Sequence, residues 1–373
     1  MAQGFSLKDQ LFNREKVRYL AGLFHRAMPE FEPDAFEARV MAELPALELK
    51  ARISWIAEVL SGTLPADFAE LDQVIRRALP PPLDPSLSDD DFGDFIFAPL
   101  GELVVLRGLP AAPAVSLDLL EALTQRFSME WAIRPFLNHA PGETLARMEQ
   151  WTEHSSYHVR RLASEGSRPR LPWGQAVGLS LTDTLPILDR LHADPTRYVT
   201  RSVANHLNDI SKKDPDLACQ RITAWRAQEQ QTAKELDWIA SHALRGLIKA
   251  GHPDAMRLLG YDPEAEVAAE LRIDGPVRIG EALRFSCDLQ GQAGQPVLVD
   301  YRITFLRPGG KSSAKVFKLK QAQLKAQGLS LEKRHALKGN ATTFTLVPGL
   351  HNLELMINGR VAATAEFELL PEG

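Results

Sequence analysis

The chain has 373 residues, 45% apolar and 24% charged, with 43 Lys+Arg against 48 Asp+Glu for a formal charge of −5. At about 150 residues per domain this is room for two to three domains with sizeable cores, and the composition excludes an extended disordered chain. By that total, nucleic acid is a poor partner, although a total is silent on how the charges are distributed.

The first residues, MAQGFSLKDQLFNREK, lack the apolar core of a signal peptide, and no run approaches the ~18 uncharged apolar residues of a membrane helix. Cys219 and Cys287 lie far apart in segments of different character, which argues against a disulfide framework or a cysteine-based metal site. The expectation is a cytoplasmic protein with reduced thiols.

Residues 1 to about 260 read as helices separated by short breaks. Val17, Leu20, Leu23 and Phe24 recur at helical spacing, as do Leu49, Ile53, Ile56 and Leu60. A longer break at 79–95, LPPPLDPSLSDDDFGDF, combines proline with the acidic cluster Asp89, Asp90, Asp91 and Asp94. It lacks the alternating ligands and distal Glu of an EF-hand loop, so it reads as a solvated, turn-rich segment.

The helical part repeats. Aligning YHVRRLASEG (157–166) with RYVTRSVANH (197–206) and DWIASHALRG (237–246) places Val159, Val199 and Ile239 in one column at an interval of 40. PGETLARMEQW (141–151) likewise resembles PDLACQRITAW (215–225), each ending in tryptophan. This is the period of HEAT-like helical pairs stacked into a solenoid.

One face of each repeated helix is apolar. Residues two positions on lie roughly 200° round the helix and form a polar ladder. Its rungs are Arg161 and Glu165; Arg201, Asn205 and Asp209; Ser241, Arg245 and Lys249. The ladder is either a solvated outer face with i,i+4 pairs or a polar groove with embedded carboxylates, and spacing favours neither decisively. Between the helices runs GSRPRLPWGQ, where Arg168 and Arg170 precede Trp173, a composition suited to a phosphate backbone and a flat or cationic base. Trp173 reads equally well as a core anchor for its loop. Glu130 and Trp131, in RFSMEWAIRPF, can add a carboxylate to the same groove.

Beyond about 265 the period changes from helical to two. LRIDGPVRIG, ALRFSCDLQ, PVLVDYRITFLR, TTFTLV, HNLELMING and ATAEFELL are strand candidates bounded by turn residues. About seven strands in about 105 residues fit an immunoglobulin-like β-sandwich, here without an inter-sheet disulfide. From 302 to 338 ten basic residues, Lys311, Lys315, Lys318 and Lys320 among them, face a single acid, Glu332, a local charge of +9. Such a run is either a solubilising face or a polyanion-binding patch; against a chain total of −5, the patch is favoured.

No phosphate loop, dinucleotide fingerprint, nucleophile elbow or zinc-protease helix is present. His154 and His158 stand four apart without a third ligand.

The strings LKDQLFNREKVRYLAGLF, LELKARISWIAEVL, RFSMEWAIRPFLN, YHVRRLASEGSRPRLPWGQ and RYVTRSVANHLNDISKKDPD closely resemble the AlkC branch of the HEAT-like DNA alkylation-repair glycosylases, over residues 5 to 260. The resemblance implies a helical-repeat glycosylase domain over 1–262 and a DNA-contacting immunoglobulin-like domain over 266–373. It implies hydrolysis of the N-glycosidic bond of 3-methylcytosine and 3-methyladenine in double-stranded DNA, in base excision repair, with the duplex captured without full base flipping. By the same resemblance Glu165, Glu130 and Asp209 are the candidate catalytic carboxylates and Trp173 the aromatic wall. Arg161 and Arg201 would orient carboxylates or grip the phosphates of DNA, and Arg168, Arg170, Asn205, His206 and Arg245, with the four lysines, would meet DNA. No cofactor or metal is implied, and the expected state is a monomer in a bacterial-type cytoplasm, associated with the nucleoid. The sister AlkD branch, with one Asp between two Trp, has no counterpart pattern here. Periodicity alone would prefer a non-catalytic HEAT scaffold, with a DNA-binding module without chemistry as a third reading; the family strings reverse that preference.

Overall fold

The computed structural model describes residues 6–87, 89, 92–339 and 344–373. Helices α1 (Leu7–Leu11), α2 (Arg14–Ala27), α3 (Pro33–Glu43), α4 (Leu49–Ser61) and α5 (Phe68–Ala78) lead to the proline-rich break. After it come α6 (Ala98–Ala111), α7 (Pro113–Thr124), α8 (Ile133–His139), α9 (Pro141–Trp151) and α10 (Tyr157–Gly166). The helical part closes with α11 (Leu185–Leu191), α12 (Arg197–Ser211), α13 (Pro215–Gln228), α14 (Ala233–Ala243), α15 (Arg245–Ala250) and α16 (Pro253–Leu258).

The chain's prolines explain many of these starts. Pro33, Pro113, Pro141, Pro215 and Pro253 each open a helix, where the missing N–H costs nothing and the fixed φ favours the first turn. Asn13 and Asp67 cap α2 and α5 by accepting the amides of Lys16 and Glu70. No helix among the described residues is long and apolar enough to cross a membrane.

The repeat is visible in the packing. Val159 and Val199 occupy equivalent, fully buried positions on α10 and α12, and Trp151 and Trp225 are buried at the end of α9 and in α13. The third copy departs from a continuous helix: Ile239 is buried as aligned, but the helix breaks at Leu244, between α14 and α15.

Eight strands follow among the described residues: β1 (Ala268–Ile273), β2 (Val277–Arg278), β3 (Ala282–Gln290), β4 (Pro296–Arg307), β5 (Lys311–Gln323), β6 (Leu329–Ala336), β7 (Gly349–Ile357) and β8 (Arg360–Leu370). They form a three-stranded sheet, β1-β3-β6, and a five-stranded sheet, β2-β8-β7-β4-β5. Alternate residues of both sheets supply the core: Leu283, Phe285 and Cys287 from β3, Tyr301, Ile303 and Phe305 from β4, Leu353 and Leu355 from β7. Burial pushes the Cys287 thiol up to about 11, so it behaves as a small core hydrophobe.

One strand expectation is corrected by the structure, and two strands lie where none was expected. The segment TTFTLV is not a strand over 344–347, and its first residues lie outside the described ones. The basic segment, in contrast, supplies β5 and β6, whose few apolar residues pair with the well-marked β4 and β3.

The chain divides into two compact units, Met1–Ile210 with Gln228–Ile239, and Ser211–Ala227 with Ala240–Gly373. Within the second unit the β7–β8 turn is welded to the preceding chain. Asn358 Oδ1 accepts the Leu298 amide at 2.8 Å, while its Nδ2 donates to the Asp262 carbonyl at 2.8 Å. Gly359, at φ 85°, packs its backbone directly on that of Gly251, at φ 75°; a Cβ on Gly359 would lie 2.6 Å from the Gly251 Cα.

Candidate active site

Helix α10 is buried nearly all round, polar residues included: Arg161, Ser164 and Glu165 are enclosed together with Val159 and Leu162. The polar ladder at this rung is therefore an internal network and not a solvated face, because neighbouring segments cover the side opposite the apolar stripe.

Glu165 is the hub. Its Oε1 accepts Arg168 Nη1 at 2.6 Å, its Oε2 accepts the Ser202 hydroxyl at 2.6 Å, and Arg161 Nη2 stands 3.8 Å from Oε2. Arg168 then reaches Asp209, with Nε and Nη2 at 3.0 and 2.9 Å from Oδ2. Arg161 Nη1 donates at 2.8 Å to Glu130 Oε2, which also accepts the Ser128 hydroxyl at 2.8 Å. These three carboxylates share two guanidiniums, and the buried Arg134 guanidinium is close enough to feel all three of them. The side chain of Glu130 is 18% exposed against 7% for Glu165, so Glu130 is the carboxylate nearer solvent.

Burial alone would push the Glu165 carboxyl up, but Arg161, Arg168 and the Ser202 hydroxyl outweigh it and hold it below the ordinary glutamate range. Burial would likewise weaken the charge on Arg161 and Arg168; their carboxylate partners more than restore it. Tyr198 lies beneath Arg161, its ring centroid 4.4 Å from the guanidinium carbon, and burial pushes its hydroxyl well up.

The loop after α10 carries Trp173, 55% exposed, and Arg170, exposed as well. At its start stands Gly166, where a Cβ would meet Ile133 at 2.4 Å. Arg134 braces the loop from beneath: only 1% exposed, it donates to the carbonyls of Gly166 at 2.8 Å, Arg168 at 2.9 Å and Gln175 at 2.5 Å. Trp131 Nε1 donates to the Pro172 carbonyl at 3.3 Å, and the Trp131 and Trp173 rings lie 6.0 Å apart. Exposure of the Trp173 ring overturns the core-anchor alternative.

The structure therefore brings Glu130, Glu165, Asp209, Arg161 and Arg168 into one network beside the loop that carries Trp173. It does not place every candidate at a surface. His206 is fully buried, hydrogen-bonded to Thr184 at 3.0 Å and the Ser164 carbonyl at 2.9 Å, and burial pushes it down to about 4. It is a neutral strut and presents nothing to DNA. Arg161 and Arg168 are likewise committed to carboxylates. Arg201 is half-buried and pairs with Asp89, and Phe92 packs edge-on to Tyr198 at 5.5 Å. Asp94 accepts the Ile96 amide and pairs with Lys16. Asp89 and Asp94 are thus half-buried and fastened to helices, while residues 84–87 and Phe92 are exposed as a solvated segment would be; Asp90 and Asp91 lie outside the described residues. Asn205 is half-buried, and Arg245 is exposed, donating to the His242 carbonyl. Lys311, Lys315, Lys318 and Lys320 lie on β5, the outer strand of its sheet, where Lys315 Nζ sits 4.8 Å from the Phe344 ring centroid.

Arg134, Ser202, Tyr198 and Lys50 escaped the sequence reading. Arg134 had a signal, an arginine among Ile133, Phe136 and Leu137 on an apolar face; Tyr198 had another, standing 40 residues after His158 in the repeat column.

A family model described as "Uncharacterised protein YhaZ, C-terminal Ig-like domain" matches residues 268–371. The Bacillus subtilis (strain 168) protein YhaZ is 34% identical over 366 residues, covering 96% of this chain and 98% of its own. The Pseudomonas fluorescens alkylpurine DNA glycosylase AlkC, solved bound to DNA containing an abasic site analog, superposes with a TM-score of 0.84 at 34% identity, covering 98% of this chain and 100% of AlkC. With relatives this similar along the whole of its length, the chain belongs to the AlkC branch of the HEAT-like DNA alkylation-repair glycosylases.

Proposed function

We propose that the protein is a DNA glycosylase that hydrolyses the N-glycosidic bond of cationic alkylated bases, 3-methyladenine and 3-methylcytosine, without full base flipping. The observation that carries this reading is the buried Glu130–Arg161–Glu165–Arg168–Asp209 network beside exposed Trp173, in a chain 34% identical to an alkylpurine DNA glycosylase over its full length.

The chemistry asks little of an acid. A methylated base such as 3-methyladenine already carries a positive charge, so the C1′–N bond breaks with its electron pair neutralising the leaving base. The sugar passes through an oxocarbenium-like state, and water adds its oxygen to C1′ while giving up a proton. A carboxylate fixed within a buried network stabilises that cation without reorganising. Glu165, kept ionised by its arginines, supplies charge; Glu130, nearer solvent, is positioned to orient the water and take its proton. The Trp173 ring favours a cationic base over a neutral one by roughly 0.5–2 kcal/mol.

The helical repeats, 1–262 by this reading, hold the lesion. The sandwich, 266–373, contributes a DNA-contacting basic edge through Lys311, Lys315, Lys318 and Lys320, with Arg170, Arg201, Asn205 and Arg245 as further DNA-facing groups. The protein works as a monomer on double-stranded DNA in the cytoplasm. Incubation with methylated duplex DNA tests the activity: release of free 3-methyladenine and 3-methylcytosine is expected. DNA binding without release would reduce the protein to a binding module, and no DNA binding would leave a scaffold.

A further inference from the structure

Trp173 holds a backbone conformation that its residue type disfavours. Its φ is 64°, in the left-handed region where an L side chain crowds its own carbonyl. Such a geometry persists only where the surroundings impose it. Behind the loop, Trp131 and Arg134 bind the carbonyls of residues 166, 168, 172 and 175. At Trp173 itself the tie comes from elsewhere: Lys50, on α4 and 123 positions earlier, donates Nζ to the Trp173 carbonyl at 2.6 Å. Lys50 is exposed, so its replacement removes this bond without opening the core.

We propose that Lys50 is a positioning residue for the aromatic wall: its ammonium clips the Trp173 carbonyl and keeps the backbone in the conformation that aims the indole at the damaged nucleotide. The inference rests on the glycosylase reading above. The rival role for an exposed lysine beside such a site is a direct phosphate contact, and the two roles depend on different things. A phosphate contact strengthens binding to any duplex, contributes to its salt dependence and is indifferent to residue 173. A tether acts only through the indole it aims, on the reacting geometry and not on general affinity.

A double-mutant cycle separates them. Single-turnover release of 3-methyladenine is measured at saturating full-length protein for the wild type, Lys50→Met, Trp173→Ala and the double variant, with Lys50→Arg as the conservative replacement. Affinity for undamaged duplex is followed across a salt series. Lys50→Met is expected to slow release about ten-fold with affinity and salt slope unchanged, to have no further effect once Trp173 is alanine, and to be largely rescued by arginine. Wild-type release by Lys50→Met, the same slowing in both backgrounds, or a flattened salt slope would overturn the proposal. If the wild type itself released no base, the glycosylase reading would fall. The tether would then be decided by amide hydrogen exchange: Lys50→Met must speed exchange in the 167–177 segment, and unchanged exchange there refutes it.

Discussion

The Ser202 hydroxyl donates to Glu165 Oε2 at 2.6 Å, joining α12 to α10 across 37 positions of sequence. The carboxylate is therefore held by the neighbouring repeat as well as by arginines of its own segment. A charge fixed from two repeats has little freedom to reorient, which is what electrostatic stabilisation of a sugar cation requires.

Replacing Glu165 by glutamine keeps the volume and removes the charge. Single-turnover release of alkylated bases is expected to fall by at least about a hundred-fold while duplex affinity persists. Full activity in Glu165→Gln, with an unchanged melting temperature, would move the principal role to Glu130 or Asp209.

Acid should act on the same carboxylate. Glu165 titrates below the ordinary value of 4.5 in the folded protein, so its stabilising contribution is present above that value and is lost as pH falls through the folded one. Ser202→Ala removes a bond to the charged form and raises the folded value, so the loss should be smaller and complete at a higher pH. Melting temperature against pH for the two proteins checks this; superimposable curves would contradict it.

His206 predicts a separate acid effect. Burial pushes it down to about 4, whereas the unfolded imidazole titrates at 6.5. The unfolded chain takes up the proton first, so stability falls as pH drops from 6.5 towards about 4 and then levels. His206→Gln cannot titrate and should flatten that stretch of the curve; an unchanged slope would show that the imidazole does not control it.

The lysines of β5 admit two physical roles. Charge on an outer strand blocks pairing with another chain, and the same charge can meet phosphates. Converting Lys311, Lys315, Lys318 and Lys320 to glutamine should weaken duplex binding and flatten the salt dependence by roughly 0.9 for each phosphate no longer neutralised. Unaltered slope with increased self-association would leave only the edge-guarding role.

Gly359→Ala places a methyl group 2.6 Å from the Gly251 Cα on a backbone at φ 85°. Both the close approach and the positive φ oppose it, and a loss of about 2–3 kcal/mol in stability is expected, read as a lowered melting temperature. No shift would mean that the turn and the α15 end separate readily.

Much of this architecture is legible in the sequence because it is periodic. The column Val159, Val199 and Ile239 and the pair Trp151 and Trp225 reveal stacked helical pairs, and alternation in ALRFSCDLQ and PVLVDYRITFLR reveals β3 and β4. What stayed hidden depends on partners. Strand β5 carries Val316, Phe317 and Leu319 among lysines and serines, so its strand character comes from pairing with β4. Periodicity says which residues share a face with Arg161 and Glu165 but not what covers that face. Tyr198 and Ser202 do so from the next repeat. Asp89 looks solvated in sequence because its partner Arg201 is 112 residues away.

The side chain of Asn358 binds the Asp262 carbonyl, and the β7–β8 turn abuts the end of α15. A cut near residue 265, where the periodicity changes, would strip α15 of this neighbour and leave the Asp262 carbonyl to water. These ties would couple the end of α15 to the sandwich in unfolding. The protein's natural seam, for dissection or for proteolysis, does not coincide with the change from helix to strand.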